Sequence, residues 1–152
     1  MIAVLYERQD LRNLFAIGVT AHFSKRQDVA IAAYTQLALS GRTTATPFSL
    51  VQTARALANL GVALRAEQRP FAEVEQAYRD AAQAGRDAGS TKGLVATATA
   101  LAASLVNRKA AGRPTSELQA LCKEATAAAS QAGLEELKQA LDAECSAEGE
   151  PT

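Results

Sequence analysis

Apolar side chains recur at helical spacing along most of the chain. The clearest stretch runs from Ala54 to Gly89, where two such patterns are separated by a short polar segment. Apolar or small residues at positions i, i+3, i+4 and i+7 lie on one side of an α-helix. In the two patterns these residues are Leu57, Leu60, Gly61 and Leu64, and then Phe71, Val74, Tyr78 and Ala81. The stretch therefore predicts a helical hairpin with its turn at Glu67 to Arg69 and with Pro70 in the first turn of the second helix.

The same analysis predicts helices over the rest of the chain. The predicted helices cover Asp10 to Ser24, Asp28 to about Ser40, Pro47 to Ala66, Pro70 to Ala88, Thr91 to Arg108, Pro114 to Gln131 and Leu134 to Cys145. Gly41 is interpreted as the end of the second helix, because glycine is the usual residue just past a helix. The apolar residues Ile2 to Tyr6 are predicted to form the first turn of the first helix or a flap against it.

Residues of the hairpins repeat along the chain. Gly18 and Gly61 are 43 positions apart, and Tyr34 and Tyr78 are 44 apart. The dipeptides Arg69-Pro70 and Arg113-Pro114 are also separated by 44 positions. A period shared by glycines, tyrosines and turn prolines indicates a helical repeat. The predicted units are residues 10–41, 47–89 and 91–133, followed by a capping helix at 134–145 and a disordered acidic tail at 146–152.

The third unit matches the other two less well. Ala102 and Leu105 are aligned with Gly61 and Leu64, which requires a slightly longer turn in this unit. Cys122 takes the place of Tyr78.

Composition narrows the class of protein. The 152 residues fit one all-α domain that is rich in alanine and has no tryptophan. Sixteen basic and sixteen acidic residues cancel, so no overall charge favours nucleic acid as a partner. No apolar run approaches the roughly 20 residues that span a bilayer, and no signal peptide is recognisable. We therefore expect a soluble cytoplasmic protein that binds neither nucleic acid nor a membrane.

The residues that carry chemistry are few and scattered. Cys122 and Cys145 lie in predicted helices without a CxxC spacing, so buried reduced thiols are expected, although a disulfide between the last two helices is geometrically possible. His22 is the only histidine. No phosphate-binding loop, HExxH or GxSxG motif occurs. The sequence thus predicts a protein that is not an enzyme and that has no catalytic residue, metal site or cofactor.

The repeated pattern resembles the tetratricopeptide repeat (TPR) family, in the longer-helix variety of kinesin light chains and many bacterial regulators. The resemblance covers Leu11 to Gly133. The residues that carry it are Leu60-Gly61, Arg69-Pro70-Phe71, Val74, Tyr78 and Ala81, and Ile17-Gly18, Ala30, Tyr34 and Leu37. It implies a right-handed α-solenoid of about three hairpins with a C-terminal capping helix.

The resemblance also implies a binding surface. In this family the first helix of each hairpin lines a concave groove that holds a peptide or a helical segment. By position, the groove residues here are Arg12, Phe15, Val19, His22, Arg55, Ala58, Val62, Arg65, Thr99, Ala103 and Val106. Arg55 and Arg65 could hold a carboxylate, since guanidinium groups bind carboxylates bidentately. The asparagines with which some family members bind a C-terminal carboxylate are replaced by valines.

These expectations leave several functions open. The favoured one is a non-catalytic scaffold or adaptor that binds a protein or peptide partner. A second is a small secretion or assembly chaperone with an apolar client. A third is a structural unit that forms homo-oligomers through Ile2, Val4 and Leu5 or through the terminal helix.

Overall fold

A computed structural model describes the backbone of residues 2–149 and the side chains of residues 8–146. Within these residues the chain is all helical and has no β-strand. The helices are α1 Ile2–Phe23, α2 Gln27–Thr44, α3 Pro47–Ala66, α4 Phe71–Ala88, α5 Thr91–Ala110, α6 Thr115–Gln131 and α7 Glu135–Gly149. The seven predicted helices are therefore confirmed in the described part of the chain, with different ends.

The largest difference in the middle of the chain concerns α2. The prediction that this helix ends at Gly41 is wrong, because α2 continues to Thr44 and leaves the helix at Ala45, which has a φ of 54°. Gly41 serves close packing instead, since a Cβ atom there would collide with the side chain of Thr53 and the backbone carbonyl of Ser49 on α3. A glycine that lets two backbones approach was thus interpreted as a glycine that stops a helix.

Both terminal helices are longer than predicted. Ile2 to Tyr6 belong to α1, and α7 continues past Cys145 to Gly149. α7 thus includes residues 146–149, the first part of the predicted disordered tail, where alanine and glutamate favour a helix. Residues 150–152 of the predicted tail lie outside the described residues.

The helices form two layers. Each helix packs against the next along the chain, as expected for a helical repeat. In addition, α1 contacts α3 and α3 contacts α5, whereas α2, α4 and α6 make no comparably extensive contact with one another in the described residues. We call α1, α3 and α5 the A layer and α2, α4 and α6 the B layer.

The 44-residue period is followed closely by the helices. α3, α5 and α7 begin at Pro47, Thr91 and Glu135, in steps of 44. The turns before α4 and α6 have the same length, so Leu105 and not Ala102 occupies the position of Gly61. Two predictions for the third unit are therefore wrong: the alignment of Ala102 with Gly61, and the longer turn.

The pairing of one large with one small residue explains why leucine can stand at Leu105 where the second hairpin has Gly61. Gly18 lies against the ring of Tyr34, and Gly61 lies against the ring of Tyr78, with no room for a Cβ atom at either glycine. In the third unit the equivalent positions hold Leu105 and Cys122, both buried in one apolar cluster. The large side chain thus belongs to the B-layer helix in the first two hairpins and to the A-layer helix in the third. In each hairpin it fills the space where the two helices cross.

Ion pairs between residues far apart in sequence connect the B-layer helices. Arg42 of α2 lies 3.5 Å from Asp80 of α4, and Arg86 of α4 lies 2.6 Å from Glu124 of α6. Both partners of the first pair are 44 positions before those of the second. Exposed pairs of this kind contribute at most about 1 kcal/mol each, so they follow the repeat more than they stabilise it.

The last two helices are joined by a disulfide between Cys122 of α6 and Cys145 of α7. The expectation of reduced thiols is therefore wrong. The Cα atoms lie 5.8 Å apart, within the usual range for a disulfide. α7 is also held by Leu134, Leu137 and Leu141, which pack against the same cluster as Leu118 and Leu121.

Candidate functional site

A first cavity opens on the surface of the A layer, where α1, α3 and α5 meet. Its volume is about 440 Å³. It is lined by Phe15, Val51, Ala54, Arg55, Ala58, Asn59, Thr91, Lys92, Val95, Ala96 and Thr99. The structure therefore brings four of the predicted groove residues together here, namely Phe15, Arg55, Ala58 and Thr99.

A second, smaller cavity of about 220 Å³ adjoins the first. Its lining is Val19, His22, Phe23, Tyr34, Asn59 and Val62, of which Val19, His22 and Val62 were predicted groove residues. Asn59 lines both cavities, so the two form one continuous surface across α1 and α3.

The remaining predicted residues lie at the margins. The guanidinium of Arg12 lies 5.4 Å from the ring of Phe48 at the start of α3. Arg65 is exposed near the end of α3, and Val106 of α5 is 55% exposed. Ala103 does not lie on this surface, because it packs against the cluster of Leu64 and Tyr78.

The A layer has an uneven charge distribution. No acidic residue occurs in α3 or α5. Arg12, Arg55, Arg65 and Lys92 have no ion-pair partner among the residues whose side chains are described. The acidic residues of α4 and α6 lie in the B layer and are mostly paired with arginines. The A-layer surface is therefore positive at its centre although the whole chain is neutral.

Arg55 is oriented by an aromatic ring. Its guanidinium lies 4.7 Å from the centroid of the Phe15 ring, which is a cation–π contact between α3 and α1. The guanidinium N–H groups make no hydrogen bond or ion pair with the described residues. Arg55 thus combines a fixed position with unused donors beside the larger cavity.

The smaller cavity has a polar wall. Asn59 Nδ2 donates to the Tyr34 hydroxyl at 3.3 Å, and His22 Nδ1 lies 2.9 Å from Gln27 Oε1. Burial raises the pKa of Tyr34, and the bond from Asn59 only partly offsets this. The hydroxyl is therefore neutral at physiological pH. Phe23, 81% exposed, and Val62, 42% exposed, form the apolar rim.

A buried polar cluster lies below the B-layer side, between α4, α5 and α6. Glu75 is 5% exposed and accepts hydrogen bonds from Ser104, from Asn107 Nδ2 at 3.1 Å and from Arg108 Nε at 2.6 Å. Arg108 Nη1 also donates to Glu117 Oε1 at 2.9 Å. Every oxygen of the Glu75 carboxylate is thus satisfied inside the protein. This cluster was not predicted, because polar residues in a helix are usually solvated.

Among the described side chains, no group of three or more His, Cys, Asp or Glu is placed to hold a metal ion. Within residues 2–149, no helix combines the length and the apolar character needed to cross a bilayer.

Sequence reasoning missed several residues of the surface, above all Asn59 and Lys92. Lys92 stands seven residues before Thr99 on α5, and Asn59 stands four residues after Arg55 on α3, so both lie on the faces that the helical spacing selected. A usable signal was present in the sequence, since two consecutive A-layer helices contain cations and no acids.

The chain matches no protein-family model, and no curated protein or solved structure is significantly similar to it. The likeness to the TPR family therefore stays a prediction.

Proposed function

We propose that this chain is a non-catalytic protein-binding module that holds an acidic segment of a partner protein against the A layer. The observation that carries the proposal is the pair of cations that line the larger cavity, Arg55 and Lys92, which have no ion-pair partner among the described side chains. An exposed cation without a partner favours an anionic ligand, and complementary charge speeds association and excludes positively charged competitors. The apolar lining of the cavity would bury apolar side chains that alternate with the acidic ones.

The proposed architecture behind this surface is a right-handed solenoid of three TPR-like hairpins capped by α7. The constant 44-residue step of α3, α5 and α7 supports it. Contact among the A-layer helices, without comparable contact in the B layer, supports a curvature that makes the A layer the concave side. A concave, pre-formed surface costs little to organise on binding.

The test uses fluorescein-labelled peptides in which glutamates alternate with leucines, with peptides of lysine and leucine as the reference. We expect the acidic peptides to bind and their affinity to fall as salt is raised, because exposed charges are screened. Arg55→Glu and Lys92→Glu should each weaken binding by about tenfold.

Arg79→Glu is the matched control, because Arg79 is an exposed B-layer cation without an ion-pair partner among the described residues. It changes the net charge by the same amount and should leave the affinity nearly unchanged. The proposal is wrong if Arg79→Glu weakens binding as much as Arg55→Glu does, or if the acidic and basic peptides bind alike.

A chaperone function is the second candidate, favoured by the exposed apolar side chains on the A layer. Phe23, Val62 and Val106 are 81%, 42% and 55% exposed. A chaperone of this kind would co-purify with an apolar client and would keep that client soluble. Co-expression with and without candidate clients, followed by measurement of client solubility, separates it from an adaptor.

Self-association is the third candidate. Its predicted contacts Ile2, Val4 and Leu5 have side chains outside the described residues. Ile17, at the edge of the first hairpin, is 49% exposed, whereas the equivalent Leu60 packs against the preceding hairpin. Light scattering over a range of protein concentrations tests this function directly.

A further inference from the structure

The two interfaces between successive hairpins differ in chemistry at equivalent positions. Between the second and third hairpins, Glu75 of α4 meets Ser104, Asn107 and Arg108 of α5. These four residues are between 3% and 8% exposed, so the contact is an internal one.

The interface between the first and second hairpins is apolar at the same places. Subtracting the 44-residue period from the four polar residues gives Ile31, Leu60, Ala63 and Leu64. Ile31 and Leu60 pack against the clusters that contain Ala63 and Leu64. An exposed pair near the contact is retained, since Arg69 pairs with Glu73 as Arg113 pairs with Glu117.

We propose that this difference encodes the order of the hairpins: the polar set admits only the third hairpin onto the second, and the apolar set admits only the second onto the first. The inference goes beyond the proposed binding function and does not depend on it. It concerns a problem that every repeat protein meets, because similar hairpins can pack on the wrong neighbour, in the same copy of the chain or in another.

Mismatched contacts would be heavily disfavoured. If the third hairpin packed on the first hairpin of another copy, Ser104 and Asn107 would face Ile31 without an acceptor, and Arg108 would keep only the partly exposed Glu117 of its own hairpin. If a second hairpin packed on α4, Glu75 would face Leu60, Ala63 and Leu64 without a donor. A buried charge that loses its partner shifts an equilibrium by about a hundredfold or more. In the correct order every one of these groups is satisfied.

Stability alone does not account for the polar set. Replacing a buried ion pair by apolar residues of similar size is often neutral or stabilising, whereas breaking it is costly. The polar interface can thus specify which hairpin packs against it, which an apolar interface in its place would not do.

The experiment makes the two interfaces alike. The uniform variant carries Glu75→Ile, Ser104→Leu, Asn107→Ala and Arg108→Leu, which copies the first interface onto the second. A smaller pair variant carries only Glu75→Ile and Arg108→Leu. The control, Arg86→Gln with Glu124→Gln, removes an exposed ion pair between α4 and α6. Each protein is unfolded with its disulfide intact and refolded over a range of concentrations, and the products are measured by size-exclusion chromatography with light scattering.

We expect the uniform variant to keep its helical content and to yield a ratio of misassembled dimer, with hairpins packed on the wrong neighbour, to monomer at least about tenfold above that of the natural chain. The dimer should persist on dilution, since exchange back requires unfolding. The control should refold like the natural chain. If the uniform variant fails to fold, the pair variant decides by the same ratio. Refolding of the deciding variant to monomer in the natural proportion would overturn the proposal.

Discussion

The crossing of α3 and α4 depends on one small and one large residue. A Cβ atom at Gly61 would lie 2.5 Å from Cε1 of Tyr78, whose side chain is 2% exposed. The third hairpin fills the equivalent crossing with Leu105 and Cys122, so size has been exchanged between the two helices. We therefore predict that substitutions at Gly61 and Tyr78 compensate each other.

The magnitude follows from the two single changes. Gly61→Leu forces atoms into a filled space at about 1–3 kcal/mol, from which the better helix propensity recovers about 1 kcal/mol. Tyr78→Ala empties a buried aromatic site and costs about 3–5 kcal/mol. In the double variant the leucine side chain occupies part of the space that the ring leaves. The double variant should therefore be more stable than the sum predicts by at least about 2 kcal/mol.

The assay is guanidinium-induced unfolding followed by circular dichroism, with the free energy of unfolding extrapolated to water. Equal slopes against denaturant in all four proteins would show that the same transition is compared. Additivity of the two substitutions within about 0.5 kcal/mol would refute the reasoning, because it would mean that the two sites do not share one space.

Other predictions concern buried charge, the disulfide and alkaline pH. Glu75→Leu should lower the free energy of unfolding by about 2 kcal/mol or more in the same assay, because Ser104 and Asn107 lose their buried acceptor and Arg108 keeps only the partly exposed Glu117. Glu73→Ala, which breaks an exposed pair, should cost at most about 1 kcal/mol. Cys145→Ser should lower stability by about 3 kcal/mol and speed hydrogen exchange in α7 above all, and a reductant should affect the natural protein in the same way but not the variant. Burial raises the pKa of both Tyr34 and Tyr78, so the unfolded chain loses these protons first. Stability should thus be fully present below about pH 10 and fall above it, and Phe substitutions at both sites should reduce that loss when unfolding is measured from pH 8 to 12.

Helices and period were predictable because they depend on local spacing. The apolar positions of α3 and α4 repeat at i, i+3, i+4 and i+7, and Pro70 marks the turn between them. Helix ends were less predictable where a residue has two possible uses. Gly41 could end α2 or allow close approach, and only the position of Thr53 on the next helix decides between them.

Contacts between distant residues were beyond local reasoning. The partners of Glu75 lie 29 to 33 positions away, so nothing near Glu75 in sequence indicates a buried carboxylate. The sequence allows a disulfide between Cys122 and Cys145 but does not predict it. Sequence context favours reduced thiols, and local spacing does not give the distance between α6 and α7. The alignment of the third hairpin failed for a related reason, since Leu105 and Gly61 look unlike until their partners are compared.

The candidate surface was predicted in part. Family-like spacing selected Phe15, Arg55, Ala58 and Thr99, which line one cavity. Spacing within a helix cannot reveal which cations are left without partners, because that depends on where the acids of other helices lie. The positions taken over from the family likeness did not include Lys92 or Asn59, although both stand at helical spacing from residues that it did select.

The disulfide between α6 and α7 has a mechanical consequence. If the chain is pulled from its two ends, the covalent bridge carries the force directly from Cys122 to Cys145, and the segment between them is never extended. The bridged residues are 23 positions apart and their Cα atoms are 5.8 Å apart, so oxidation shortens the fully stretched chain by about 75 Å. The difference in stretched length between oxidised and reduced protein reports whether the bridge has formed in any single molecule.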